Sequence, residues 1–269
     1  SASGLPSFNG SRSLVPLRRG GSAMPLFCIH GLGGHAVVFR PLAEALAAGR
    51  PVYGLQALGL DAGQTPHESV EVMAAHYVRE LQAVQPHGPY LLGGWSLGGL
   101  TALEAARQLV AAGETVALVA LLDSYLSLSD FAGRRLDEQA ALRWLAPHLG
   151  LRVAEFKRLP LDRQWERIAE QAHSVHGIGL PEIRRLAAVC RAQLSAAAQY
   201  RPEPYAGPAV LFRAGSRRRF AERRWRSLCP QLHVEQIPGD HYSILRQPQV
   251  AVLAERLEDH LRGHQDQES

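Results

Sequence analysis

The chain has 269 residues, 46% of them hydrophobic and 20% charged, with 29 Lys plus Arg against 25 Asp plus Glu. That length allows one large domain or two small ones with a sizeable buried core, and 25 glycines and 17 prolines are too few for a low-complexity chain. The longest strongly apolar run, 115–122, falls far short of the roughly 18 residues a membrane span requires, and three cysteines, an odd number, cannot close a disulfide framework and suit the reducing cytoplasm of a bacterium.

Lys157 is the single lysine, so the basic charge is almost all arginine. The densest basic stretch, 217–226, holds only Phe220 and Trp225 as aromatics. It lacks the interleaving that base stacking needs, and reads as a solvated face or a docking patch for an acidic partner, with no nucleic-acid role.

In chain order, residues 1–13 are Ser/Gly-rich and read as a linker tail. They carry no initiator Met, basic n-region or apolar h-region, which suggests a cut fragment. Residues 14–17, the turn Arg18-Arg19-Gly20-Gly21 and residues 25–30 predict a short hairpin leading into a buried strand. Residues 38–48 predict a helix and 51–55 a short strand. Over 69–84, Val70, Met73, Ala74, Tyr77, Val78, Leu81 and Val84 recur at spacings of three and four, the mark of an amphipathic helix. Residues 90–95 predict a strand, 97–112 a helix, and 115–122 a strand buried on both faces. This alternation predicts an α/β fold with a mostly parallel sheet flanked by helices.

After Asp123 the alternation stops. Residues 124–204 show three amphipathic helical patterns and no strand; Pro181 suits a first helical position, and Ile183, Leu186, Ala187, Cys190, Leu194, Ala197 and Ala198 form one stripe. Strands at 209–213 and 232–237 and a closing helix with Val250, Leu253, Ala254, Leu257 and Leu261 then resume the pattern. Residues 14–269 are thus one domain, in which 124–204 form an all-helical insertion best read as a lid. A separate helical domain is the weaker alternative, because strands of one sheet flank the segment. Trp144, Leu145, Trp165, Ile168, Leu186 and Cys190 are expected to turn apolar faces toward the site beneath.

Chemistry concentrates at Gly94-Trp95-Ser96-Leu97-Gly98. The Gly-x-Ser-x-Gly pattern falls where a strand should end and a helix begin, a turn too tight for side chains at its flanks, which holds the serine hydroxyl out at the sheet edge. Ser96 is the candidate nucleophile. A serine needs a base and an orienting acid, in the order Ser, Asp/Glu, His for such a sheet. His241, between the last predicted strand and the last helix, is the candidate base. Asp123, at the end of the strand following the nucleophile's helix, is the candidate acid, with Glu222 as the alternative; Asp240 should point away. The backbone N–H of Leu97 and one from the loop His30-Gly31-Leu32-Gly33-Gly34 would form an oxyanion hole, Leu32 being the choice and Gly31 or Gly33 the alternatives. His30 reads as shaping that loop, and His173 and His176 as surface residues rather than a metal pair.

Five segments resemble a known family: Pro25-Leu-Phe-Cys-Ile-His-Gly-Leu-Gly-Gly34, Val52-Tyr-Gly-Leu-Gln-Ala-Leu-Gly59, Met73-Ala-Ala-His-Tyr-Val78, Gln85-Pro-His-Gly-Pro-Tyr-Leu-Leu-Gly-Gly-Trp-Ser-Leu-Gly-Gly99 and Leu121-Leu-Asp-Ser124. In this order they are similar to the C-terminal thioesterase domains of nonribosomal peptide synthetases, from about Leu14 to the last helix, the lid matching only in helical character and length. The resemblance implies an α/β-hydrolase fold and the placement of the acid at Asp123. It implies release of a peptidyl or acyl chain from the 4'-phosphopantetheine thioester of an upstream carrier domain through an acyl-Ser96 intermediate, by hydrolysis or macrocyclisation. It further implies a monomer with no intrinsic cofactor, no metal and no membrane partner. An editing thioesterase, a free-standing serine esterase and a non-catalytic binding module are the alternatives. The first would act on short acyl groups in trans, the second on oxygen esters, and the third would lack a triad member.

Overall fold

The computed structural model describes residues 13–124, 137–215 and 219–265. The tail at 1–12, residues 125–136 of the expected insertion and Arg217 and Arg218 of the basic stretch lie outside the described residues. Seven strands, β1 (Leu14–Arg18), β2 (Leu26–Ile29), β3 (Val52–Leu55), β4 (Tyr90–Trp95), β5 (Val116–Leu122), β6 (Ala209–Ala214) and β7 (Leu232–Ile237), form one sheet in the order β1-β3-β2-β4-β5-β6-β7. Only β1 runs antiparallel to its neighbour.

The central strands read as unbroken apolar runs because both their faces are covered. All of β2 and all but one residue of β5 are buried. Edge strand β7 is buried only at its two ends. Helices α2 (Val70–Gln82) and α3 (Gly98–Ala111) pack one face, α1 (Arg40–Ala45) and α9 (Gln249–Gln265) the other. Helix α2 starts where its periodicity does, with Ser69 Oγ accepting from the Val72 N–H, an N-cap that satisfies one orphan donor.

Three readings are corrected. The expected hairpin does not form: β1 pairs with β3, from Leu14↔Leu55 to Arg18↔Val52, and β3 separates it from β2. Local turn signals could not reveal this, since the pairing joins segments almost forty residues apart. The helix expected over 38–48 is a 3₁₀ turn, Ala36–Phe39, followed by the short α1, which starts at Arg40 with Pro41 in its first turn. Ser13, placed in the tail, is buried with its hydroxyl 2.9 Å from His76 Nε2.

Between β5 and β6 lie α4 (Glu138–His148), α5 (Val153–Phe156), α6 (Leu161–His176) and α7 (Leu180–Gln199). They bury a core of their own, including Leu142, Leu145, Ile168, Ala172, Ile183 and Cys190. Helix α7 belongs to two cores at once. Its first half (Ile183, Ala187, Cys190) packs in the insertion, whereas Ala196, Ala197 and the terminal Tyr200 join the core beneath the sheet. The reason is topological: parallel neighbours β5 and β6 require a crossover, and α7 provides it. Helix α8 (Arg219–Leu228) joins β6 to β7. Cys28, Cys190 and Cys229 are buried and free. Among the described residues no helix is long and apolar enough to cross a membrane.

Candidate active site

Strand β4 ends at Trp95, α3 begins at Gly98, and Ser96 lies between them with φ +57°. A non-glycine residue in the left-handed region costs roughly 1–3 kcal/mol unless its surroundings enforce it. Here they do. A Cβ on Gly94 would run into the Gly98 carbonyl, and one on Gly98 into the carbonyls of Ile29 and His30. The two glycines therefore let β4, α3 and the end of β2 meet closely enough to force the turn and leave the serine partly exposed.

Asp123 ends β5, also with positive φ, +43°. Its side chain, only 2% exposed, accepts from the Ala214 N–H through Oδ1 (2.9 Å) and from His241 Nδ1 through Oδ2 (2.7 Å). The imidazole stacks on Trp95, with ring centroids 5.1 Å apart, and Trp95 Nε1 donates to the His241 carbonyl at 3.1 Å. Thus His241 is held on one side by the carboxylate at the end of β5 and on the other by the residue preceding Ser96. Asp240 turns the other way, as expected, accepting from the N–H groups of Tyr242 and Ser243, both at 2.9 Å. Those N–H groups hold its carboxyl below the usual range. Glu222 is not near the imidazole; it pairs with Arg213 and Arg226 at 3.3 and 3.1 Å.

The loop after β2 is tightly committed. Its Gly34 N–H donates to the Gly31 carbonyl (3.1 Å) and its Gly33 N–H to Gln193 Oε1 (3.0 Å). Gly33 is therefore occupied, whereas the N–H groups of Leu32, Gly31 and Leu97 have no acceptor among the described residues. Buried His30 braces the same loop. Its Nδ1–H donates to the Gly31 carbonyl (2.8 Å), so its Nε2 accepts from the Tyr77 hydroxyl (2.6 Å). Burial lowers its pKa to about 4, which keeps it a neutral brace.

A cleft of about 440 Å³ opens beside the elbow. Leu32, Val38 and Trp95 form its floor, and Trp144, Leu145 and Leu186 of the insertion its roof. His35, His148 and Arg246 are its polar lining, and among the described residues no carboxylate lines it. Val37 and Tyr242, 57% and 48% exposed, also face it. The sequence expectation is met by only three of six residues. Ile168 and Cys190 are spent on the insertion's own core, and Trp165 lies under Arg184 at a hollow on its outer face. Helices with this little chain must satisfy one another before they can cover anything else. The outer hollow, about 810 Å³ and lined by Glu138, Asp162, Glu166 and Glu170, shares no residue with the elbow.

Sequence reasoning missed Gln193, Tyr77 and the ring series running from Trp95 and His241 through Tyr242 and His148 to Trp144. Their only signals were a glutamine within an apolar stripe and aromatics flanking the motifs. His173 is exposed on α6, and no cluster of three or more potential metal ligands occurs among the described residues.

Residues 24–261 match the family model of the thioesterase domain. A probable non-canonical nonribosomal peptide synthetase of Salinispora arenicola is 32% identical over 265 residues, 93% of this chain and 3% of that protein. A dimodular nonribosomal peptide synthase of Bacillus subtilis is 42% identical over 112 residues, 42% of this chain and 5% of that protein. Among solved structures, a holo four-domain nonribosomal peptide synthetase bound to AMP and glycine superimposes with a TM-score of 0.82 at 27% identity, over 91% of this chain and 20% of that one. The NocB thioesterase domain, in covalent complex with a fluorophosphonate nocardicin G analogue, gives 0.69 at 26% identity, over 90% and 96%. The chain thus spans a small part of the synthetases it matches and nearly the whole of a separate thioesterase domain. With its α/β-hydrolase fold and the family model matched over all but its ends, the chain belongs to the thioesterase domain family.

Proposed function

We propose that the chain releases a peptidyl or acyl group from the phosphopantetheine thioester of an upstream carrier domain, through an ester on Ser96. The observation carrying this reading is the bond from His241 to the buried Asp123 carboxylate, with the imidazole clamped against Trp95 beside the Ser96 turn. Ser96 Oγ attacks the thioester carbonyl while His241 Nε2 takes its proton, and Asp123 fixes the tautomer and stabilises the imidazolium. The N–H groups of Leu97 and Leu32 receive the oxyanion, Leu97 with the added field of the α3 N-terminus. The C–S bond then breaks, and His241 returns its proton to the departing thiolate. In the second half, His241 deprotonates water or a nucleophile of the peptide itself. The ester C–O bond breaks and Ser96 regains its proton, giving a linear or a cyclic product.

The apolar cleft would hold the acyl chain, with the helical insertion as the lid that limits water. The reading takes the domain to act as a monomer in the bacterial cytoplasm, its partner being the carrier. A fluorophosphonate probe should label Ser96 alone, and mass spectrometry with a panel of peptidyl thioesters should show acyl-Ser96 followed by free product. Labelling at another serine, or turnover retained in Ser96→Ala, would overturn the reading.

A further inference from the structure

The oxyanion loop is held from an unexpected direction. Gln193, 1% exposed on α7 and 160 residues away in sequence, accepts the Gly33 N–H at 3.0 Å. Because only the amide oxygen can accept that proton, the orientation of the side chain is fixed. Its Nε2 is buried with no acceptor among the described residues. A buried amide with an idle donor is costly, and packing alone would be better met by leucine or methionine. The acceptor oxygen is what the position supplies.

What it accepts from is informative. Gly33 has φ +98°, and a Cβ there would lie 2.8 Å from Trp144 of α4. The glycine thus lets the loop turn under the insertion, but its freedom leaves two peptide planes able to rotate. Gln193 removes that freedom at Gly33, and the Gly31 carbonyl removes it at Gly34. Of the two N–H groups in the turn left without an acceptor among the described residues, those of Gly31 and Leu32, it is Leu32 that adjoins the pinned Gly33. The same helix continues into the core beneath the sheet through Ala196, Ala197 and Tyr200, and the Tyr200 hydroxyl donates to Glu104 on α3 at 2.9 Å. The glutamine therefore stands on the firmly held half of α7.

We propose that Gln193 is a positioning residue for the oxyanion hole. By engaging the Gly33 N–H it keeps the Leu32 N–H directed at the oxygen that gains charge during acylation of Ser96. This rests on the reading of Ser96 as nucleophile and Leu32 as oxyanion donor. Gln193 touches no reacting atom, so its removal should weaken transition-state binding and leave ground-state binding alone.

The test compares the parent with Gln193→Leu and Gln193→Met, which keep the apolar volume and discard the oxygen, Met serving should Leu fail to fold. Three quantities are measured: kcat/KM for a peptidyl thioester, Ki for the matching peptidyl trifluoromethyl ketone, which forms a charged tetrahedral adduct with Ser96, and Kd for the matching unreactive peptidyl amide. Losing an oxyanion donor outright costs about 10²–10³-fold, so misdirecting one should lower kcat/KM by about 10–100-fold. The ketone should weaken in parallel, and the amide should change by less than about 3-fold. Unchanged kcat/KM and Ki would overturn the proposal, as would amide binding that falls with them, since that marks loss of packing. Turnover surviving in Ser96→Ala would overturn the underlying reading and this inference with it. A parent that is Ser96-dependent beside unaffected Gln193 variants would overturn the inference alone.

Discussion

At the scale of single residues, two carboxylates competed for one role on the sequence, and their surroundings separate them. Asp123 is buried and shares its two oxygens between the Ala214 N–H and His241; Glu222 spends both of its oxygens on arginines. Asp123→Asn preserves shape but favours the wrong imidazole tautomer. It should reduce single-turnover acylation by about 10⁴-fold, the size of that substitution's effect in a serine-protease triad. Glu222→Gln should leave acylation within about 3-fold of the parent, because it breaks only partly exposed pairs worth about 0–1 kcal/mol. Rapid-quench measurement of acyl-Ser96 formation decides it, and the reverse order of effects would remove Asp123 from the mechanism.

Among the elements, the strand–turn–helix unit is the most readable and the least tolerant. Its serine and glycines stand within five consecutive residues, so the motif carries its own geometry. The contacts that make it obligatory, Gly98 against the Ile29 and His30 carbonyls, come from a strand almost seventy residues earlier. Gly98→Ala pushes a methyl group into backbone that cannot rotate aside, and overpacking of this kind costs about 1–3 kcal/mol. The variant should lose several degrees of Tm by calorimetry and most of its fluorophosphonate labelling at Ser96. A stable, fully labelled variant would show the turn to be looser than described.

Other elements were legible only in part, for physical reasons. Periodicity marks α2 and α7 because each buries a stripe, but it cannot say what covers the stripe. The run from Ile183 to Ala198 looked like one apolar face and serves two cores. Nor does it reveal β1's partner, since the half-buried pattern of an edge strand fits either neighbour. The site divides the same way. Ser96, Asp123 and His241 lie at strand ends that sequence order and motif can locate, whereas Gln193 and Tyr77 act through chain-distant hydrogen bonds that leave no periodic trace.

For the whole molecule, buried and half-buried histidines couple folding to pH. His30 is lowered to about 4 by burial, and His67 to about 4 by burial with help from the neighbouring His76 and Arg79 charges. His76 itself is lowered by burial. A folded-state value below the ordinary 6.5 means that the unfolded chain takes up the proton first. The stability these groups contribute is complete above about pH 6.5 and is lost as pH falls toward 4. Unfolding free energy from urea melts should therefore drop between pH 7 and pH 4.5, and the His30 ring should remain the neutral Nδ1–H tautomer at pH 5.5 in nitrogen–proton NMR correlation. A His30 resonance titrating near 6.5 would contradict the burial argument.

If the cleft holds the acyl chain as proposed, it sets a second property of the whole molecule, its preference among chains. Among the described residues no carboxylate lines it and Arg246 does. A lysine side chain seated there would lose its hydration without gaining a partner. Of peptidyl thioesters differing only in the residue bearing the thioester, the leucine form should exceed the lysine form by about 30-fold or more in kcat/KM, with glutamate between them. Equal rates for leucine and lysine would mean that the acyl chain binds elsewhere.

Helix α7, 20 residues long, is a rod of about 30 Å at 1.5 Å per residue, and it behaves as a cantilever. Its built-in end lies beneath the sheet, and its overhang carries the rest of the helical insertion. Gln193 sits close to the support, about 20 Å from the tip at Leu180 by the same rise per residue. Any flexing is then smallest at the loop after β2 and largest toward Leu180, against which the Arg185 guanidinium, donating to the Leu60 carbonyl at 3.0 Å, is the restraint.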